Sequence, residues 1–286
     1  MATTSFNWNA GATTARRNLA ATGRAMHRSI KQLSSGLKVQ TSADDAANMA
    51  ISITSRASIV SQEMAARNAE DAMAMLRTTD GAIQSIQDTI IRMRELAVQG
   101  ATDTLNKSAR KGLNTEYQTN LDELNRIFRS TEFNGISLLD GPIGKDYDPD
   151  GRIFHVGADA ANANKIKFDL DFSTVFNAIQ VENASGKNTL KDLKSSQTRI
   201  PFLDSLADII QTERTKVGST INRLEFATDN LLTSIENEKG SLSTRVDTDI
   251  AAASAEFTKN QVLMQAGVSM LSQANATPQM LLRLLG

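Results

Sequence analysis

Ala65, Ala69, Ala72, Leu76, Thr79, Ile83, Ile86, Ile90, Met93 and Ala97 follow one another by alternating steps of four and three residues. That alternation places small and apolar side chains on one narrow face of a helix, the seam of a coiled coil. Upstream, Ala46, Ala50, Ile53, Ala57, Val60 and Met64 carry a similar seam slightly out of phase. Read as one helix from Ala43 to Gln99, the segment would be about 85 Å long at ~1.5 Å per residue. A compact domain of this chain length would be roughly half that across. The pattern predicts a rod.

Seams of the same kind occupy both ends of the chain. Leu19, Met26, Ile30, Leu33 and Leu37 step by seven, four, three and four residues. Ser34-Ser35-Gly36 then weakens the helix, and Gly36 can adopt the left-handed conformation that closes a C-terminus. Ser42-Ala43-Asp44-Asp45 reads as the next start: the Ser42 hydroxyl would cap a first-turn amide, with Asp44 and Asp45 at the positive end of the new helix. A third helix carries Leu113, Tyr117, Leu121, Leu124 and Phe128 and ends near TEFNGISLLDGP, a stretch rich in turn residues. RIFHVG and NKIKFDLDF then read as short strands.

Helical order is expected again from Pro201. Ile210, Val217, Leu224 and Leu231 lie seven apart, with Leu203, Leu206, Ile221 and Ile235 widening the stripe. A second break is expected around Lys239-Gly240-Ser241. Beyond it Ile250, Phe257, Met264 and Leu271 are again seven apart, and Met280 to Leu285 form an apolar end. The fold class is therefore mainly α: long antiparallel coiled-coil-like rods with a small β-containing insert, the terminal helices paired as an inner domain. The divisions read as 1–36 for the first inner helix, 37–42 for a linker and 43–140 for rod helices. They continue as 141–197 for the variable β segment, 198–238 for the second rod, 239–249 for a linker and 250–286 for the last inner helix.

Composition sharpens this picture. Among 286 residues only 5% are aromatic and four are Pro, too few bulky anchors for a spherical core but suited to helices packed side by side. There is no Cys, which excludes disulfides, thiolate zinc sites and Cys nucleophiles. Apolar runs are too short to span a bilayer, so no membrane insertion is expected. The first residues lack the apolar region of a cleaved signal peptide, so export would follow another route. The net charge of −1 conceals an asymmetry: Arg16, Arg17, Arg24, Arg28 and Lys31 fall in residues 1–36 without one acidic residue. Such a helix can meet nucleic acid or an anionic membrane. Without interleaved aromatics or a groove-reading motif, it reads rather as a helix whose charges face water or the carboxylates of a neighbouring subunit.

An isolated pair of terminal helices joined by narrow seams would be marginal in water, because helices of this length draw most of their stability from packing. Packing against copies of itself would complete the core. That is the property of a subunit that polymerises.

The residues that carry these features also resemble bacterial flagellin. LSSGLKVQTSADDAANMAIS is similar to that family's Leu-Ser-Ser-Gly-Leu and Asp-Asp-Ala-Ala motif, and RMRELAVQGA and TEFNGISLL to its next signatures. NRLEFATDNL and VLMQAGVSMLSQANATPQMLLRLL resemble its C-terminal ones, so the likeness covers about residues 15–140 and 200–286. The resemblance implies an inner domain of paired terminal helices around a filament channel, rods forming the surrounding tube, and a short variable region between Gly141 and Gln197. It implies a homopolymer in the extracellular flagellar filament. It also implies export through the flagellar secretion apparatus with a flagellin chaperone, and assembly beneath a filament cap. A hook–filament junction protein shares the layout of ends, and a secreted adhesin or immune ligand is a reading from another class.

Within that family Arg92, Leu96 and Glu116 fall on positions gripped by a flagellin-sensing Toll-like receptor, and an exposed Leu beside an Arg would suit an interface anchor. The same surface is expected to bury against adjacent subunits. His27 and His155 lie far apart and no HExxH occurs, so no metal or cofactor is expected. Asp44-Asp45 and Asp247-x-Asp249 sit at expected helix starts, where capping accounts for them. No arrangement of an enzyme is present. Met64, Met73, Met75 and Met93 read as gap-filling core in an Ala-rich helix. Asn183-Ala184-Ser185 matches an N-glycosylation acceptor in a polar run that reads as an exposed loop.

Overall fold

The computed structural model describes residues 9–139, 152–170, 172, 175–179 and 189–285, with side chains followed to residue 276. The Asn183-Ala184-Ser185 acceptor and the apolar side chains of Met280 to Leu285 lie outside what is described. Five α-helices account for most of the chain: α1 (Ala10–Ser35), α2 (Ala46–Gly100), α3 (Lys107–Ser130), α4 (Leu193–Val246) and α5 (Ile250–Leu285). Contacts divide the chain into two units, Met1–Ala57 with Asn237–Gly286, and Ser58–Glu236.

In the unit Ser58–Glu236 the core is the seam of α2. All ten positions from Ala65 to Ala97 in the four-three series are buried, at 0–4% exposure. Tyr117, Leu121, Leu124 and Phe128 of α3 and Leu203, Leu206, Ile210, Val217 and Leu224 of α4 close over it. Two polar ties show how the helices flank α2. Arg92 donates to Glu116 on α3, and Arg94 to Asp204 on α4. A helix covered from two sides needs a wider apolar face than a two-stranded seam, so Leu96 is as fully buried as Ala97.

Among the described residues the sheets are two small antiparallel hairpins. β1 (Glu132–Phe133) pairs with β2 (Ile136–Ser137) around Asn134-Gly135, whose φ values of 52° and 75° suit a tight hairpin turn. β3 (Arg152–His155) pairs with β4 (Lys165–Phe168) in the register Arg152 to Phe168. Arg152 Nη2 donates to the Ser137 carbonyl at 2.8 Å, which ties one hairpin to the other. The middle segment also contributes to the core: Phe172 and Phe176 meet Phe128 edge-on, each with ring centroids 6.0 Å away. Leu190 N donates to Asn114 Oδ1 at 2.8 Å and anchors the return to α4.

In the other unit α1 and α5 run antiparallel. The Asn9 side chain caps α1, accepting from Ala12 N at 3.0 Å, and its Nδ2 donates to the Ala274 carbonyl at 2.8 Å. Further along, a Cβ on Gly23 would lie 3.4 Å from Met264 Cε, and one on Gly267 would lie 3.0 Å from Leu19 Cδ1. The two glycines therefore receive the long side chains of the opposite helix.

Several boundaries differ from the sequence reading. α2 starts at Ala46, not Ala43, and the cap is Asp45 in place of Ser42: Asp45 Oδ1 accepts from Asn48 N at 3.0 Å, while Ser42 lies in the preceding turn. The expected break at Lys239-Gly240-Ser241 is absent, because α4 runs through Gly240 to Val246. A helical Gly costs only about 1 kcal/mol relative to Ala, and the Gly240 carbonyl still accepts from Thr244 Oγ1 at 3.0 Å. The linker is only residues 247–249. α4 also begins at Leu193 and carries Pro201 in its interior.

Two seam residues are placed differently as well. Ile30 is 41% and Ile250 52% exposed. In α1 the buried position is Ser29, whose hydroxyl donates to the Ala25 carbonyl at 3.2 Å and so enters the interface without losing a partner. Ile250 is the first residue of α5, and the buried face begins at Ala253. Leu19, Met26, Leu33, Phe257, Met264 and Leu271 are half-buried along the pair.

Candidate functional site

Three groups of residues, most of them selected from the sequence, take shape in the structure. The first is on α2 and α3. Arg92 Nε donates to Glu116 Oε1 at 3.0 Å, and Arg92 Nη1 to Glu95 Oε2 at 2.9 Å. The guanidinium is thus held between two carboxylates, Glu116 first and Glu95 second, and its pKa is pushed up. About half of each charged side chain faces water. Leu96 does not join them at the surface. Its 0% exposure corrects the expectation of an accessible leucine, for the reason given above: α3 and α4 both cover that side of α2.

The second group surrounds the two chain breaks, which meet. Gly36 ends α1 at φ 71°, with its N–H donating to the Gln32 carbonyl. Leu37 and Asp247 then pair as an isolated antiparallel bridge. Lys38 N donates to the Val246 carbonyl at 2.7 Å and Thr248 N to the Gly36 carbonyl at 2.8 Å. Hydrogen bonding of each break by the other explains why so short a linker suffices after α4. Asp44 Oδ2 accepts from Thr41 Oγ1 at 2.9 Å and from Thr41 N at 3.1 Å, and these bonds hold its carboxyl below the ordinary value. Asp45 is lowered by the Asn48 amide and then by the Asn48 side chain. Asp249 caps α5, accepting from Ala251 N at 2.9 Å and Ala252 N at 3.1 Å. All three carboxylates serve the backbone at a turn or helix start.

The third group is apolar and uncovered. Ala46, Ala50, Ile53, Ala57, Val60 and Met64 step by four and three residues on α2 and are all exposed, Ile53 and Val60 at 58% each. In the sequence this series is out of phase with the series from Ala65 to Ala97. Phe226 on α4 is 74% exposed, and Val262, Val268 and Met270 on α5 lie between 54% and 62%. Phe226 carried no signal in the sequence pattern because it lies outside every heptad series. Among the described residues no helix is long and apolar enough to cross a membrane, and no group of three His, Cys, Asp or Glu could hold a metal ion.

Long helices packed along shared apolar seams define a mainly α-helical, coiled-coil-like protein. Comparison with known proteins gives the family. The bacterial flagellin N-terminal helical region matches residues 6–143, and the bacterial flagellin C-terminal helical region matches residues 200–285. The flagellin of Halalkalibacterium halodurans is 34% identical over 283 residues, covering 98% of this chain and 99% of that protein. A flagellar filament core protein of Brachyspira hyodysenteriae is 30% identical over 285 residues with the same coverage. A Vibrio parahaemolyticus structure, provisionally named as a flagellar hook-associated protein, has a TM-score of 0.61 at 14% identity over 71% of this chain and 100% of that one. That last likeness shows the fold alone and does not favour a junction role.

The chain belongs to the bacterial flagellin family. It is a structural subunit of the flagellar filament, the extracellular helical polymer of swimming bacteria, and it polymerises with copies of itself.

Proposed function

We propose that the exposed stripe Ala46, Ala50, Ile53, Ala57, Val60 and Met64 is a contact by which copies of this chain hold one another in the filament. The observation that carries this reading is its spacing: the steps are those of the buried α2 seam, yet its members face water. At about 25 cal/mol per Å² of apolar area, covering such a stripe favours association before the entropy of assembly is subtracted. Elongation of purified filament seeds tests it. Ile53→Asp is expected to stop elongation while leaving the helix content of the monomer unchanged, and normal growth of that variant would overturn the proposal.

The Arg92–Glu116 face serves as a second contact between copies, and as the surface a Toll-like receptor would read on the monomer. Its charged pair, not Leu96, would make that contact. Family membership supports a reading in which the chain is exported through the flagellar apparatus, escorted by a chaperone and assembled beneath a cap. The meeting of the two breaks supports a joint within the unit of Met1–Ala57 and Asn237–Gly286. A receptor-reporter assay with Arg92→Ala tests the receptor reading: signalling equal to that of the parent chain would remove it.

A further inference from the structure

The last turns of α1 and the turn 38–44 enclose a cleft of about 250 Å³ lined by Arg24, His27, Arg28, Lys31, Lys38 and Asp44. Arg24, Arg28 and Lys31 share one face of α1 through steps of four and three, and Lys38 enters from the turn. No ion pair among the described residues includes any of these four cations, whereas Arg92, Arg94, Arg126, Arg214 and Lys216 each sit on a carboxylate. Asp44, the one carboxylate in the cleft, spends its hydrogen bonds on Thr41 and meets Arg28 only as a charge at longer range. The cleft amides are engaged too: Gln32 Nε2 donates to the Lys38 carbonyl and Gln40 Nε2 to the Leu37 carbonyl. Helix-dipole compensation does not account for the cluster, because that effect is confined to the last turn and Arg24 and Arg28 lie further back.

We propose that this cleft is a socket for carboxylates on the surface of a second copy of the chain. The inference rests on the filament reading and adds to it a polar contact at the terminal unit. Charge complementarity selects the occupant. Five of the 31 basic residues and none of the 32 acidic ones lie in residues 1–36, so the remainder of the chain carries six more acidic than basic side chains. In a homopolymer each basic α1 is surrounded by such chains. Complementary patches of this kind raise the rate of encounter and fix register more than they add affinity. A nucleic acid would instead favour Phe, Tyr or Trp interleaved with the cations, and the aromatic ring lining the cleft is the single imidazole of His27.

Two measurements test the socket. Filaments grown from an equal mixture of light and isotope-labelled chains are treated with a carbodiimide, which joins a lysine amine to a carboxylate in direct contact. Peptides linking Lys31 or Lys38 to an Asp or Glu of the other label are expected, and their absence overturns the proposal. In the second, seed elongation by R24Q/R28Q/K31Q is compared with the parent chain from about 0.05 M to about 0.5 M NaCl, across which screening tightens several-fold. The parent is expected to slow with salt, and the variant to be ~10-fold slower at low salt with little salt dependence. Parent and variant elongating alike overturn the socket alone. A parent chain that elongates no seed overturns the filament reading itself. Loss of binding to a short DNA duplex with elongation unchanged would transfer the cluster to nucleic acid and also overturn the socket.

Discussion

Leu37 and Asp247 form a single antiparallel bridge, so the break after α1 and the break after α4 are hydrogen-bonded to each other. The Lys38 amide takes the last carbonyl of α4, and the Thr248 amide takes the carbonyl of Gly36. Each break supplies the partner that the other's backbone would lack.

Gly36→Ala is the most economical test of this joint. Open space surrounds the position, but φ is +71°, where a side chain costs about 1 kcal/mol. Loss of roughly that amount from the terminal unit is expected, seen as faster proteolysis near residues 36–46 and as altered filament shape. A variant with parental protection and parental filaments would show that the left-handed residue has no role in the joint.

Acid should loosen the same region. Asp44 and Asp45 are both held below the ordinary carboxylate value of 3.8. A carboxylate lowered by folding stabilises fully above its unfolded pKa, and that contribution disappears as pH falls through the folded one. Protease protection of the joint should therefore be flat at neutral pH and decline below about 4. Asp45→Asn keeps a capping oxygen and should flatten the decline, whereas Asp45→Ala should weaken the joint at every pH.

Buried and open α2 positions should separate folding from assembly. Ile86 is 0% exposed, so Ile86→Ala is expected to destabilise the monomer by about 2–5 kcal/mol. Val60 is 58% exposed, and Val60→Ala should leave the stability of the monomer within about 0.5 kcal/mol of the parent while slowing seed elongation. Thermal melts read against elongation rates check both.

Gly267 offers a graded series. Its Cβ would lie 3.0 Å from the flexible end of Leu19. In Gly267→Ala a small shift of that methyl is offset by about 1 kcal/mol of helix propensity, and near-neutral stability is expected. Gly267→Leu overfills the site and should cost about 1–3 kcal/mol. Chemical denaturation followed by α5 protection distinguishes the two.

The long seam of α2 was legible because period alone decides it. All ten positions from Ala65 to Ala97 are buried, and no tertiary detail was needed to find them. Leu96 was not legible as core, since an adjacent pair of buried residues, Leu96 and Ala97, arises only when two helices cover one. Gly240 misled because a glycine weakens a helix without ending it. The actual stop at Val246 depends on an amide from Lys38, far away in the chain. Ser29 displaced Ile30 because a helical hydroxyl can satisfy itself on the preceding turn, a freedom that hydropathy does not register. The Asn134-Gly135 hairpin carried its signal openly in that dipeptide, which suits a two-residue turn.

The alternation of long and absent side chains between α1 and α5 also governs which alignments the pair will accept. Leu19 lies over Gly267, and Met264 lies over Gly23. Sliding α5 by one turn would set Leu19 against Leu263 or Leu271, and Gly23 against Asn260 or Val268. The first pairing collides and the second loses its filling methyl. Wrong alignments are thus rejected from both sides, so the termini carry their own proofreading of how one helix is laid upon the other.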